Sequence, residues 1–251
     1  MQPISKSHII ITVAVVLCIT MGVVFRKAAA PVVTIPEPVV TVQDLWPSRE
    51  VKKETIAESN QYYSIDVSYP STKDVRLSDH FKTFAQEQVA QFKDDTSWVT
   101  DPSIGSAAEG ALSLDVTYQE TKSAWADTYA FNIVTYTGGA HGLQVTKTFA
   151  FDQHGKALGL GDLFSNETKG LTEVALFVQK EITKKNISDA TWIAEGAAAK
   201  AENYQSFIIG DTGVTFVFDA YQVAPYSAGT QSILVPFSVF KNLANPALFT
   251  Q

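Results

Sequence analysis

Apolar and polar residues alternate along much of the chain after residue 60, and this period-two pattern is broken by a few stretches of helical spacing. Residues 62–69 (YYSIDVSY) alternate and stop at Pro70, which predicts a strand followed by a turn. Phe81, Phe84, Ala85, Val89 and Phe92 then recur at helical spacing, with Ser78 as the expected N-cap and an end near Asp94 and Asp95. In residues 111–118, Leu112, Leu114, Val116 and Tyr118 point one way, as in a half-buried strand. A longer strand is expected over 124–136, a glycine turn over 136–142 (YTGGAHG), and a further strand over 144–151. Short connections between successive strands predict an antiparallel meander.

The second half changes period twice. A turn at 151–156 (FDQHGK) leads through 158–164 into a helix marked by Leu171, Val174, Ala175, Val178 and Ile182. Asp189 is placed to cap another helix running through Trp192 to Lys200. Strands over 204–209 and 214–218 flank Gly210-Asp211-Thr212-Gly213, a hairpin signal. An irregular aromatic segment, 219–229, precedes a last strand at 233–235 and a short terminal helix at 237–243. The fold class expected is α+β: an antiparallel sheet, meander plus hairpin, packed by a few helices in two subdomains.

The N-terminus has a different character. Residues 9–25 (IIITVAVVLCITMGVVF) are almost uniformly apolar and lie between Lys6 and the pair Arg26 and Lys27. That is the short end of a membrane-spanning helix, which needs roughly 17–25 residues. A cleaved signal peptide ending at Ala28-Ala29-Ala30 is the alternative, but the two cations interrupt the approach to that site, so an uncleaved anchor is favoured. With residues 1–8 before the span and the bulk of the chain after it, the folded part is expected outside the cytoplasm, at a cell membrane crossed once. Pro31, Pro36, Pro38 and Pro47, followed by a charged stretch, read as an extended spacer. The expected organisation is an anchor over 1–27, a proline-rich spacer over 28–60, and α+β subdomains over 61–145 and 146–251.

A formal net charge of −7 speaks against nucleic acid as a partner and suits a cationic one better. The single cysteine, Cys18, lies in the apolar run, which leaves the rest of the chain without a disulfide, a cysteine metal site or a Cys-His pair. Candidate chemistry gathers at the turns. His141, at the tip of the glycine turn, is an accessible imidazole and a weak candidate for a catalytic base. No G-x-S-x-G or His-Glu-x-x-His pattern supplies it with partners, so a binding or structural role ranks ahead. Asp152 and His154 can join it only if the meander brings the two turns together, and two histidines with one carboxylate are thin grounds for a metal; none is expected, nor any other cofactor. Asp219, Tyr221, Pro225 and Tyr226 make a proline-braced aromatic loop suited to carbohydrate or protein contact, or alternatively a brace for the last strand. The ligand-binding candidates are therefore His141, Asp152, Asp219, Tyr221 and Tyr226.

Residues 136–142 (YTGGAHG), 151–164 (FDQHGKALGLGDLF), 213–218, and 221–229 (YQVAPYSAG) with Val235-Pro236 behind them together carry a resemblance. In order and spacing they resemble the bacterial extracytoplasmic module that accompanies PdaC deacetylases and forms the outer part of RsiV-type anti-sigma factors. The resemblance spans about residues 60 to 243. It implies an envelope location, an α+β fold in two parts and association with the cell wall: RsiV-type members bind lysozyme, and PdaC-type members work on peptidoglycan. The chain departs from both. Only residues 1–8 precede the apolar run, too few to hold a sigma factor. A metal-binding deacetylase domain is not expected in these residues: Thr148-Phe149-Ala150-Phe151-Asp152 does not match the Thr-Phe-Asp-Asp run of such a domain. The expectation is a membrane-anchored binding or sensor module for a cell-wall glycan or a wall-active cationic protein such as lysozyme. The alternative is a small envelope hydrolase using His141.

Overall fold

The computed structural model describes residues 50–100 and 112–249. The apolar run 9–25, most of the proline-rich spacer and the polar loop after Asp101 lie outside the described residues. Among the described residues no helix is long and apolar enough to cross a membrane.

The first layer is a six-stranded sheet in the order β1-β2-β3-β4-β5-β6. Its strands are β1 (Lys52–Ser59), β2 (Tyr63–Ser71), β3 (Leu112–Lys122), β4 (Asp127–Tyr136), β5 (Leu143–Phe151) and β6 (Ala157–Leu158). β1 corrects the spacer expected over 28–60: its residues pair antiparallel with β2 from Lys52 opposite Ser71 to Ser59 opposite Ser64. This edge strand is exposed along nearly its whole length, so no buried face imposes the alternation by which a strand is read. β3, β4 and β5 form the expected antiparallel meander. One pair departs from it: β2 and β3 run parallel, Tyr63 opposite Leu112 to Val67 opposite Val116. The helix α1 (Val75–Asp95) lies between them in sequence, and a parallel pair requires a crossover of that size.

α1 starts earlier than Ser78. Asp74 is its N-cap, its carboxylate accepting the Arg76 N–H at 2.9 Å, while the Ser78 hydroxyl accepts the Thr72 N–H from inside the first turn. Phe81, Phe84 and Phe92 are buried against Val67, Leu114, Phe131 and Tyr129 of the sheet, making one core. A second core lies under α2 (Glu167–Lys185), α3 (Ala190–Gly196) and a three-stranded antiparallel sheet of β7 (Phe207–Ile209), β8 (Gly213–Phe218) and β9 (Gln231–Pro236). Short helices α4 (Phe237–Phe240) and α5 (Pro246–Phe249) close the described chain.

Alternation along β5 serves both cores: Ala150 faces the second and Phe151 the first. The boundary expected between 145 and 146 therefore falls inside β5, which keeps its place in the six-stranded sheet along its whole length. The small sheet is tied onto β4 and β5 by side chains of the large one. Thr128 Oγ1 accepts the Ile209 N–H at 3.2 Å, and Thr148 Oγ1 accepts the Phe207 N–H at 2.9 Å. Each of these buried backbone donors would otherwise cost roughly 1–3 kcal/mol unpaired.

Candidate functional site

The β4–β5 hairpin turns on Gly138 and Gly139, whose φ values of +105° and +102° lie where side chains are rarely tolerated. Tyr136 closes the turn by donating its hydroxyl hydrogen bond to Gly139 O at 2.8 Å. His141 stands exposed at the tip with Nδ1 3.0 Å from Gly142 O. A carbonyl only accepts, so Nδ1 carries the proton and Nε2 is the basic nitrogen. Nε2 is 3.4 Å from the Tyr221 hydroxyl.

The second half of the site arrives from the loop after β8. The Tyr226 ring stacks on the His141 imidazole, centroids 4.0 Å apart and planes at 21°. Its hydroxyl donates to Gly142 O at 3.0 Å, across 84 residues of sequence. Tyr221 lies 5.5 Å from Tyr226 and 6.4 Å from His141 and completes a triangular cluster of three rings. It is 48% exposed and has φ of +71°, a conformation costing roughly 1–3 kcal/mol unless its surroundings impose it. The surroundings do so. Trp192 of α3 donates its indole N–H to Tyr221 O at 2.9 Å, and Gln222 Nε2 bonds to Gly196 O and Asn203 O. Gly196 lets that loop approach: a Cβ there would lie 1.8 Å from Gln222 O.

Asp219 anchors the same loop rather than extending from it. Its half-buried carboxylate accepts the Thr146 N–H of β5 at 2.8 Å. Burial pushes its pKa above the usual carboxylate range, partly opposed by hydrogen bonds from the Thr146 backbone and side chain.

Asp152 is elsewhere. It sits at the opposite end of β5 from His141, roughly 30 Å away at about 3.4 Å per strand residue. One carboxylate oxygen accepts the N–H groups of His154 and Lys156 at 2.8 and 2.9 Å, fixing the turn in which Gly155 has φ of +77°. Asp152 and His154 line a separate polar cleft of about 330 Å³ with Trp125, Lys156 and Asp162. Of the five residues expected to bind ligand, then, His141, Tyr221 and Tyr226 meet, Asp219 supports them from beneath, and Asp152 does not join them. Among the described residues no group of three or more His, Cys, Asp or Glu side chains is arranged to hold a metal ion. Sequence reasoning missed Trp192 and Thr146, whose roles depend on partners 29 and 73 residues away.

Residues 56–144 match the family described as Deacetylase PdaC, and residues 161–238 match DUF3298, a family of unknown function. The folded chain is a PdaC/DUF3298-type module. The peptidoglycan-N-acetylmuramic acid deacetylase PdaC of Bacillus subtilis is 30% identical over 192 residues, covering 75% of this chain and 40% of the deacetylase. The chain thus spans less than half the length of that relative. Immunogenic protein MPT64 of Mycobacterium tuberculosis is 26% identical over 193 residues, with 75% of this chain and 81% of that protein covered. Among solved structures, a DUF3298 family member from Bacteroides fragilis superposes with a TM-score of 0.53 at 19% identity, covering 79% of this chain and 96% of that one. A DUF3298 family protein of Pseudomonas aeruginosa gives 0.50 at 17%, covering 80% and 97%. At these identities the two structures show the shared fold. Within the module, the ring cluster joins the two matched regions: His141 belongs to the PdaC-type part, Tyr221 and Tyr226 to the DUF3298 part.

Proposed function

We propose that this module works outside the cytoplasm at the bacterial cell wall, held to the membrane by residues 9–25, and binds wall glycan through His141, Tyr221 and Tyr226. The relation to a peptidoglycan deacetylase supports the location and the polymer. The observation that carries the reading is the convergence of three rings from two distant loops onto one exposed edge. Flat rings offer apolar area to the faces of sugars, and their hydroxyl and imidazole groups offer hydrogen bonds at the rims. The rings are also fixed before any ligand arrives, which lowers the entropy lost on binding.

The arrangement favours binding over hydrolysis by His141. A general base of the usual kind is oriented by a carboxylate, whereas Nδ1 here donates to the Gly142 carbonyl. The net charge of −7 supports a second reading, in which the partner is a cationic wall-active protein such as lysozyme.

The test is calorimetry of the full-length chain in non-ionic detergent with a peptide-free N-acetylglucosamine–N-acetylmuramic acid oligosaccharide, and separately with lysozyme. Tyr226→Ala and Tyr221→Ala are each expected to weaken glycan binding about 2- to 10-fold, the worth of one aromatic contact. Absence of glycan binding at millimolar oligosaccharide refutes the first reading, and lysozyme binding in its place supports the second. Unchanged glycan affinity in both variants puts the site elsewhere.

A further inference from the structure

A single helix covers only part of a six-stranded sheet. Strands lie about 4.8 Å apart and a helix with its side chains is about 10–12 Å wide, so a helix seated near β2 leaves β5 largely bare. α1 packs most closely on β2. On its far side a groove of about 530 Å³ opens between the helix and β5. Its floor is Phe84, Ile133 and Phe149, and the Phe84 and Phe149 rings meet edge to face at 5.1 Å. His80 packs edge to face with Phe149 at 4.7 Å and also lines the groove.

The two walls carry opposite charges. Glu87 projects from exposed positions of α1, and Lys147 from β5. Neither makes an ion pair among the described residues, and the Lys147 ammonium lies over the Phe149 ring, 5.9 Å from its centre. An apolar floor between a cation and a carboxylate that both lack an ion pair among the described residues is complementary to a molecule that is apolar in the middle and of opposite charge at its ends. The volume falls within the roughly 300–1,000 Å³ of small-ligand sites.

We infer that this groove binds a short peptide with free termini and an apolar side chain. The side chain rests on Phe84, Ile133 and Phe149, the peptide carboxylate pairs with Lys147, and its ammonium pairs with Glu87. This site is separate from the ring cluster and does not depend on glycan binding there.

The probe is leucyl-alanine, titrated into the full-length chain in non-ionic detergent and followed by NMR, beside its N-acetyl form and its C-terminal amide. Leucyl-alanine is expected to bind with a Kd of about 1 mM, the level its size permits at about 0.3 kcal/mol per heavy atom. Each blocked form is expected to bind about 2- to 5-fold more weakly, as suits ion pairs open to solvent. Lys147→Met is expected to erase the difference between the acid and the amide while keeping that between the free and acetylated amine. Glu87→Gln is expected to do the reverse. Both side chains are exposed, so melting temperatures should hold in each variant. No binding at about 10 mM peptide, equal affinity for all three forms, or loss of both preferences in either single variant would overturn the inference.

Discussion

The stack of Tyr226 on His141 invites a measurement in which its two parts are separated. Tyr226→Phe keeps the ring and removes only the hydroxyl that donates to Gly142 O at 3.0 Å. The acceptor is not orphaned, because the His141 Nδ1–H still reaches it at 3.0 Å. The cost should therefore be that of one half-exposed hydrogen bond, about 0.5–1 kcal/mol. Tyr226→Ala also removes the ring, and with it a stack worth about 0.5–1.5 kcal/mol beyond simple area. His141→Ala removes the same stack from the other side, along with one donor to Gly142. The two alanine variants should then be non-additive: the double variant should be less destabilised than the sum of the singles by about 0.5–1.5 kcal/mol. The assay is urea unfolding of the full-length chain in non-ionic detergent, followed by tryptophan fluorescence, with the four proteins of the cycle measured together. Additivity within about 0.3–0.5 kcal/mol would mean that the rings do not hold each other, and the argument for a preformed surface would fail with it.

Three further outcomes follow from other parts of the fold. Asp219 has its carboxyl pKa raised by burial, so the native state binds its proton more tightly than the unfolded chain; its contribution is complete below about 3.9 and is lost as pH rises through the raised native value. Asp219→Asn, which keeps an acceptor for Thr146 N–H, should flatten that part of the stability–pH curve, and an unchanged curve relative to wild type would count against a desolvated carboxyl there. Gly196→Ala should destabilise by more than about 3 kcal/mol or prevent folding, because its Cβ would overlap Gln222 O at 1.8 Å, whereas a melting temperature within a few degrees of wild type would show that the loop can retreat. Asp74→Ala should cost about 1 kcal/mol through the lost cap of α1, read as a shift in the urea midpoint, while Ser78→Ala should not reproduce a cap's loss at that helix start.

Where the pattern is local, the sequence carried the fold well. The meander, the Gly210–Gly213 hairpin and the helix of Leu171 to Ile182 all show their period because one face is buried. β1 was illegible for the same reason in reverse: only Ile56 is partly buried against the first core, so Lys52, Lys53, Glu54 and Glu58 look like spacer. The parallel pairing of β2 with β3 is a fact about two segments separated by a helix, and neither segment states its partner. Ser78 lost the capping position to Asp74 because either residue type can accept the first free N–H groups, and Thr72 offered the serine another partner. At the site, the residue types were readable and their company was not. Asp152 and His141 are nearly as close in sequence as one strand allows, yet a straight strand puts its two ends as far apart as that length can reach.

That geometry also explains why the rings, and not the two turns, come together as the candidate site. A meander places successive turns at opposite ends of the sheet, so chemistry shared between neighbouring turns is excluded by the fold itself. A partner for the His141 turn had to come from outside the meander, and the small sheet provides it. β7 docks on Thr128 and Thr148, which sets β8 beside the large sheet, and the loop after β8 then leaves along the outer edge of β5. Asp219 fixes that loop to Thr146, Trp192 and Gln222 hold Tyr221 in its unfavourable backbone conformation, and Tyr226 arrives over His141. None of these anchoring hydrogen bonds uses the Tyr221 or His141 ring, and both residues remain exposed. Asn186 and Lys241 also have positive φ, the former as a helix C-cap, but Tyr221 differs in presenting an aromatic ring, 48% exposed, from that conformation. Under the glycan-binding proposal, that ring is held out to solvent by the same contacts that brace the loop, so one set of anchors serves both roles open to it.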